Sequence, residues 1–100
     1  MKEHIICSAL HIKNEKQYVH QPKNIDWGFV VCGRRHHNCF ATLFMIDSNV
    51  NKNTITQGFL TNTDRFVDRT EAFQIAKWAG QIITPNDQFE ECILTSEDIY

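Results

Sequence analysis

The apolar residues of this chain fall in short runs separated by polar turns, and each run carries its own periodicity. Residues 4–12, with Ile5 and Ile6 at the start, form a short apolar stretch that suits a strand better than a helix. A polar turn at Asn14, Glu15 and Lys16 predicts a return strand over 17–20, so that the two form a hairpin ended by Pro22, which lacks the donor a central strand needs. A further strand is expected over 27–31, running into Gly33. From His36 the spacing becomes helical, with Phe40, Leu43 and Phe44 recurring and Cys39, Ala41, Met45 and Ile46 around them. This predicts a helix over 36–47, apolar on most of its girth and therefore largely buried. Residues 48–53 are rich in Asn and Ser, which bond their own backbone, and read as a loop.

The second half is read more firmly from its local signals. Residues 54–61 alternate with β-branched members, and Gly58 within them marks a bulge or a close approach of another backbone or a ligand. A turn at 62–64 and a short strand at 65–67 follow. Asp68 is placed as an N-cap with Glu71 three residues on to complete a capping box, and Gly80 stands where a left-handed C-cap is wanted. The helix expected between them covers 69–79, with Ala72, Phe73, Ile75, Ala76 and Ala79 on its apolar face. Pro85 acts as a stop, 91–94 reads as an edge strand, and the chain closes on an acidic then apolar tail. The sum is an α+β fold: a small antiparallel sheet with two helices in a single domain over 1–100, without repeats or linkers.

One hundred residues bury one core and leave little for a deep pocket, so a sizeable ligand calls for a second subunit. A net charge of -2 gives no general reason to expect duplex nucleic acid or an acidic membrane surface, and anion binding must be local. No apolar run approaches the roughly 20 residues that span a bilayer, and no secretory signal is recognised at the start, so the expectation is a cytoplasmic protein. The four cysteines are too few for a disulfide scaffold and are read as reduced, with Cys7 and Cys92 as small buried side chains.

Candidate chemistry gathers at two helix starts. All four arginines lie there: Arg34 and Arg35 before the first helix, Arg65 and Arg69 around the second. Arginine grips phosphate with a planar fork, and a helix N-terminus presents unpaired N–H groups to an anion. The alternative for each arginine is an ordinary surface side chain, paired for instance with Asp64 or Asp68. His36 and His37 point to different faces of a helix, so at most one of them can join Arg35, where a neutral imidazole bonds a hydroxyl or base edge and a charged one a phosphate. Cys32, His36 or His37, and Cys39 also have the elements of a metal clip, but zinc in small domains normally takes two ligand pairs and no second Cys/His cluster follows. The acids Asp64, Asp68 and Glu71 are accounted for as turn and cap residues. No catalytic residue, metal or cofactor is assigned, and binding without turnover is expected.

The segments Cys32 to Phe40, Gln57-Gly58-Phe59-Leu60-Thr61, Asp64 to Ala72 and the closing Ser96-Glu97-Asp98-Ile99-Tyr100 resemble the phage-encoded Thoeris anti-defence proteins of the first type, over residues 5–100. That resemblance implies a homodimer, in some members a hexamer, acting in the host cytoplasm as a sponge: it encloses cyclic ADP-ribose isomers made by bacterial immune TIR enzymes and holds them intact. Some members also bind cyclic oligonucleotides at a separate site. By the resemblance Arg65 and Arg69 hold the pyrophosphate, Arg35 is a further phosphate position, and Phe59, Thr61 and Asn62 lie in the segment that contacts base or ribose. The chain is shorter than some members around 48–53, so contacts from longer loops there are not carried over. The competing readings are a small phosphohydrolase using His36 or His37 with a metal, and a protein that blocks a host enzyme directly.

Overall fold

In a computed structural model, which describes residues 2–82, four strands and two helices follow in the order β1 (Ile5–Ile12), β2 (Phe29–Gly33), α1 (His36–Ile46), β3 (Ile55–Thr61), β4 (Phe66–Asp68) and α2 (Arg69–Ala79). The strands form one antiparallel sheet in the order β2-β1-β3-β4. The α+β class expected from the periodicities is the one observed. The expected strand at 91–94, the tail and Cys92 lie outside the described residues. Among the described residues no helix is long and apolar enough to cross a membrane.

Both helices cover the same face of the sheet. On β1 that face is Ser8, Leu10 and Ile12, opposite Phe59, Gln57 and Ile55 of β3. α1 packs Cys39 and Leu43 onto Leu10, Ile12 and Val31, whereas α2 packs Ala72, Phe73 and Ala76 onto Ile5, Phe59 and Val67. Ile5 pairs with Thr61 and Ile12 with Ile55, so these two clusters occupy opposite ends of the sheet. Phe59, Leu10, Leu43 and Val67 are the largest apolar side chains with less than 2% exposure, each stabilising the fold by about 1.5–3 kcal/mol.

Three expectations need correction. Residues 17–20 form no strand and no hairpin with β1, which pairs instead with Phe29–Gly33. Only Gln17 touches a strand-like partner, in an isolated bridge to Gly28. The reason lies far along the chain, where the Asn24 amide donates to the Phe66 carbonyl at 2.6 Å and accepts from its N–H at 2.8 Å. Lys23 N–H donates to the Asp64 carbonyl at 2.9 Å. Lys23 and Asn24 are thereby held along the outer edge of β4, the Tyr18 ring meets Phe29 of β2 edge-on, and the Trp27 carbonyl bonds His11 on the face away from the helices. The left-handed φ of +80° at Gly28, where a Cβ would stand 2.0 Å from the Ile12 carbonyl oxygen, brings the chain back into β2.

α1 is also not buried around its girth. Its inward stripe is His36, Cys39 and Leu43, while Phe44, Met45 and Ile46 are 41%, 88% and 61% exposed. A helix lying on one side of a sheet buries a single stripe, and only a second packed layer would cover the rest. The remaining elements follow their local signals. α2 spans Arg69–Ala79, Asp68 caps it by accepting from Glu71 N–H at 2.8 Å, and Gly80 closes it in the left-handed region at φ 70°. The Glu71 carboxylate, expected to complete a capping box, accepts instead from Arg65. The bulge allowed for at Gly58 lies across the ladder between Ile5 and Cys7; Gly58 itself admits the Phe66 ring and the Val67 carbonyl, which would stand 2.7 and 2.1 Å from a Cβ there.

Candidate functional site

The two helices begin over the same part of β3. At the start of α1, Gly33 lets the first turn come close: a Cβ on it would lie 3.2 Å from Asn38 Cβ and 3.4 Å from Cys39 Sγ. Arg35 is the N-cap residue, and its N–H donates to Asn38 Oδ1 at 3.2 Å. His36, 7% exposed, is directed inward, whereas His37 is exposed. The His36 Nε2 lies 2.8 Å from the Gly58 carbonyl oxygen, and its ring meets Phe59 edge-on at 5.0 Å. A carbonyl oxygen only accepts, so Nε2 carries a proton in this arrangement and the imidazole serves as a donor.

At the start of α2, Arg69 reaches the neighbouring residue of the same strand: its Nη2 donates to Gln57 Oε1. The Arg69 Nε is shielded from solvent and has no hydrogen-bond partner among the described residues. A buried donor left unpaired costs about 1–3 kcal/mol, more when it belongs to a charged group, so among the described residues this nitrogen asks for an acceptor. Gln57 and Gly58 therefore hold one side chain from the first residue of each helix. From there α1 runs toward Ile12 and Ile55, and α2 toward Ile5. The positive ends of both helix dipoles converge on the middle of β3, and both would favour an anion.

Three other expected residues are placed elsewhere, around the N-terminal segment. Glu3 accepts from Arg65 through two contacts, Nε to Oε2 at 2.9 Å and Nη2 to Oε1 at 2.8 Å, and from Thr61 Oγ1 at 2.8 Å. The Thr63 hydroxyl also bonds Glu3. Arg65 Nη2 reaches Glu71 Oε2 at 2.9 Å as well. The Arg65 hydrogen bond, assisted by those of Thr63 and Thr61, holds the Glu3 carboxyl at about 2 against the pull of burial, and the same pair raises the Arg65 guanidinium above its ordinary value. Asn62 accepts from His4 N–H at 2.7 Å and donates to the Lys2 carbonyl at 3.2 Å. Thr61, Asn62 and Arg65 thus fasten residues 2–4 to the β3–β4 turn, where Asp64 takes a left-handed φ of 64°.

The expected set therefore divides. His36, Phe59 and Arg69 meet at the centre of β3 with Arg35 at the adjoining helix start, although Phe59 is fully buried and supports His36 from below. The guanidiniums of Arg65 and Arg69 are directed to different partners, Glu3 and Glu71 for one and Gln57 for the other. Gln57 and Glu3 were not singled out in the sequence. The alternation of β3 could have flagged Gln57 as a polar side chain on the face otherwise occupied by Ile55 and Phe59; nothing local marks Glu3. Cys32 is exposed and Cys39 buried, and among the described residues no group of three or more His, Cys, Asp or Glu is placed to hold a metal ion. A groove of about 400 Å³ lies at the other end of the sheet, between Ile12, Tyr18, Phe29, Ile46 and Val50, away from the two helix starts.

A sequence model of the phage T4 y16D protein family matches residues 4–100. No curated protein and no solved structure matches the chain.

Proposed function

Starting from the membership of this chain in the phage T4 y16D family, we propose that it is an anti-defence sponge that binds a cyclic ADP-ribose isomer in the infected cell and withholds it without cleaving it. The observation that supports this most is the convergence of the two helix starts on Gln57 and Gly58, with the Arg69 Nε buried and lacking an acceptor among the described residues. A pyrophosphate oxygen supplies that acceptor and meets both helix dipoles. Arg35 provides a second cation at the same place, and His36, its ring fixed by Gly58 and Phe59, keeps the first turn of α1 in position.

The contact of His36 Nε2 with the Gly58 carbonyl commits that nitrogen as a donor and fixes the ring in place. Thr61, Asn62 and Arg65 join the ligand when its phosphate displaces the Glu3 carboxylate, an exchange of one anion for another at the same guanidinium. The ligand is enclosed by a homodimer, and the exposed, uncharged surface of Phe44, Met45 and Ile46 is the face on which two copies associate.

Native mass spectrometry of the protein against a panel of cyclic ADP-ribose isomers and cyclic oligonucleotides tests the reading. A dimer carrying intact cyclic ADP-ribose isomer supports it. A protein that takes up no ligand from the panel, or that forms a complex only with a host enzyme, removes it.

A further inference from the structure

The sponge reading makes no use of the cysteines. In the β1–β2 ladder Ser8 pairs with Gly33 and Ala9 with Cys32, which sets Cys7 and Cys32 as diagonal neighbours on the face of the sheet turned away from the helices. The Cys32 side chain stands close enough to Cys7 to oppose ionisation of its thiol. Cys32 is exposed and Cys7 half-buried, so a small reagent can approach from the Cys32 side. Cys39 is close in sequence to Cys32 but belongs to the opposite face, where it is buried beneath Gly33 and donates to the Ser8 carbonyl at 3.5 Å. Burial above all, with Cys32 alongside, pushes the Cys7 thiol up to about 12, and burial pushes that of Cys39 up to about 11. Exposed Cys32 is therefore the sulfur that attacks first.

We propose that Cys7 and Cys32 are a redox-active dithiol site that takes a low-molecular-weight disulfide, such as glutathione disulfide, as its substrate. The Cys32 thiolate attacks one sulfur of the incoming disulfide, forming a mixed disulfide and expelling one thiolate. Cys7 then gives up its proton to that thiolate and attacks the Cys32 sulfur, expelling the second. The protein loses two hydrogens and the glutathione disulfide becomes two glutathiones, so the exchange balances. The product ties β1 to the last residues of β2, directly before Gly33 and the start of α1.

Tryptic cleavage puts each cysteine on its own peptide: Cys7 in 3–13, Cys32 in 24–34, Cys39 in 36–52 and Cys92 in 78–100. The protein is equilibrated in glutathione buffers of rising oxidised fraction, alkylated, digested without reductant and analysed by mass spectrometry. The expected result is a single linked species joining 3–13 to 24–34, unaffected by Cys39→Ser. In Cys7→Ser the second step is blocked, and a glutathione adduct on 24–34 should accumulate instead. A linkage from Cys32 to Cys39 or Cys92, or a stable glutathione adduct on Cys32 in the wild-type protein, would overturn the proposal. So would the absence of any adduct or linkage in the fully oxidised buffer.

Discussion

Replacing Glu3 by Gln keeps the shape of the side chain and removes the charge that Arg65, Thr61 and Thr63 surround. The Glu3 carboxyl is held at about 2 against an unfolded value of 4.5, chiefly by its hydrogen bonds from Arg65. At about 1.4 kcal/mol per pKa unit the difference corresponds to a ceiling of roughly 3 kcal/mol. The Arg65 side chain is 31% exposed and Glu3 24%, so solvent screening reduces this to about 2 kcal/mol. The sign follows from the depressed pKa: the stabilisation is complete above the unfolded value of 4.5 and fades as pH falls toward 2. Urea unfolding of wild type and Glu3→Gln at pH 7 should therefore differ by about 2 kcal/mol, and the gap should shrink below about 1 kcal/mol at pH 3, between the two pKa values. Comparing the two proteins at each pH cancels the other carboxylates. An equal gap at both pH values, or none at pH 7, would refute the assignment of Glu3 as the charged anchor of the N-terminal segment.

Gly58→Ala puts a Cβ 2.1 Å from the Val67 carbonyl oxygen, a backbone contact that no side-chain rotation relieves; thermal unfolding should show a loss of about 2–4 kcal/mol, or at least about 8 °C in Tm. Arg69→Ala removes the hydrogen bond to Gln57 and a cation that the α2 dipole mildly disfavours, so the melting temperature should hardly move while calorimetric affinity for a cyclic ADP-ribose isomer falls by about 2 kcal/mol or more. Arg65→Ala should do more to the fold, because it strands the Glu3 carboxylate beside Thr61 and Thr63. Met45→Glu charges the most exposed of Phe44, Met45 and Ile46, and light scattering should find the dimer weakened with secondary structure unchanged.

The parts of the fold that could be read in the sequence are those decided within one helical turn. Asp68, the apolar spacing behind it and Gly80 specify α2 with no help from elsewhere, and Gly58 announces a close approach although not which one. Residues 17–20 mislead because Tyr18 and Val19 favour strands, whereas their fate is decided by Asn24 bonding Phe66 across a separation of 42 residues. The girth of α1 misleads for a different reason: periodicity reveals which residues share a stripe, and leaves open how many layers exist to cover it. The site divides in the same way. Arginines at two helix starts are visible as a pattern, and so is the division of His36 and His37 between faces, whereas the register makes His36 the inward one. The Gln57–Arg69 and His36–Gly58 contacts that bring the starts together depend on strand register, and Glu3 reaches Arg65 over 62 residues with no local signal at either end. Arg65 therefore looks like a free phosphate ligand in the sequence and is engaged by two carboxylates in the fold.

The central claim is that a cyclic ADP-ribose isomer is held intact at the start of the two helices. Its most direct test is to incubate the protein with the isomer, remove unbound nucleotide by gel filtration, denature the complex by heat and analyse the released material by liquid chromatography and mass spectrometry. The account predicts recovery of the unchanged cyclic molecule from wild type and markedly less from folded Arg69→Ala. A linear ADP-ribose product would contradict it in favour of hydrolysis, and equal recovery from Arg69→Ala would contradict the placement of the site.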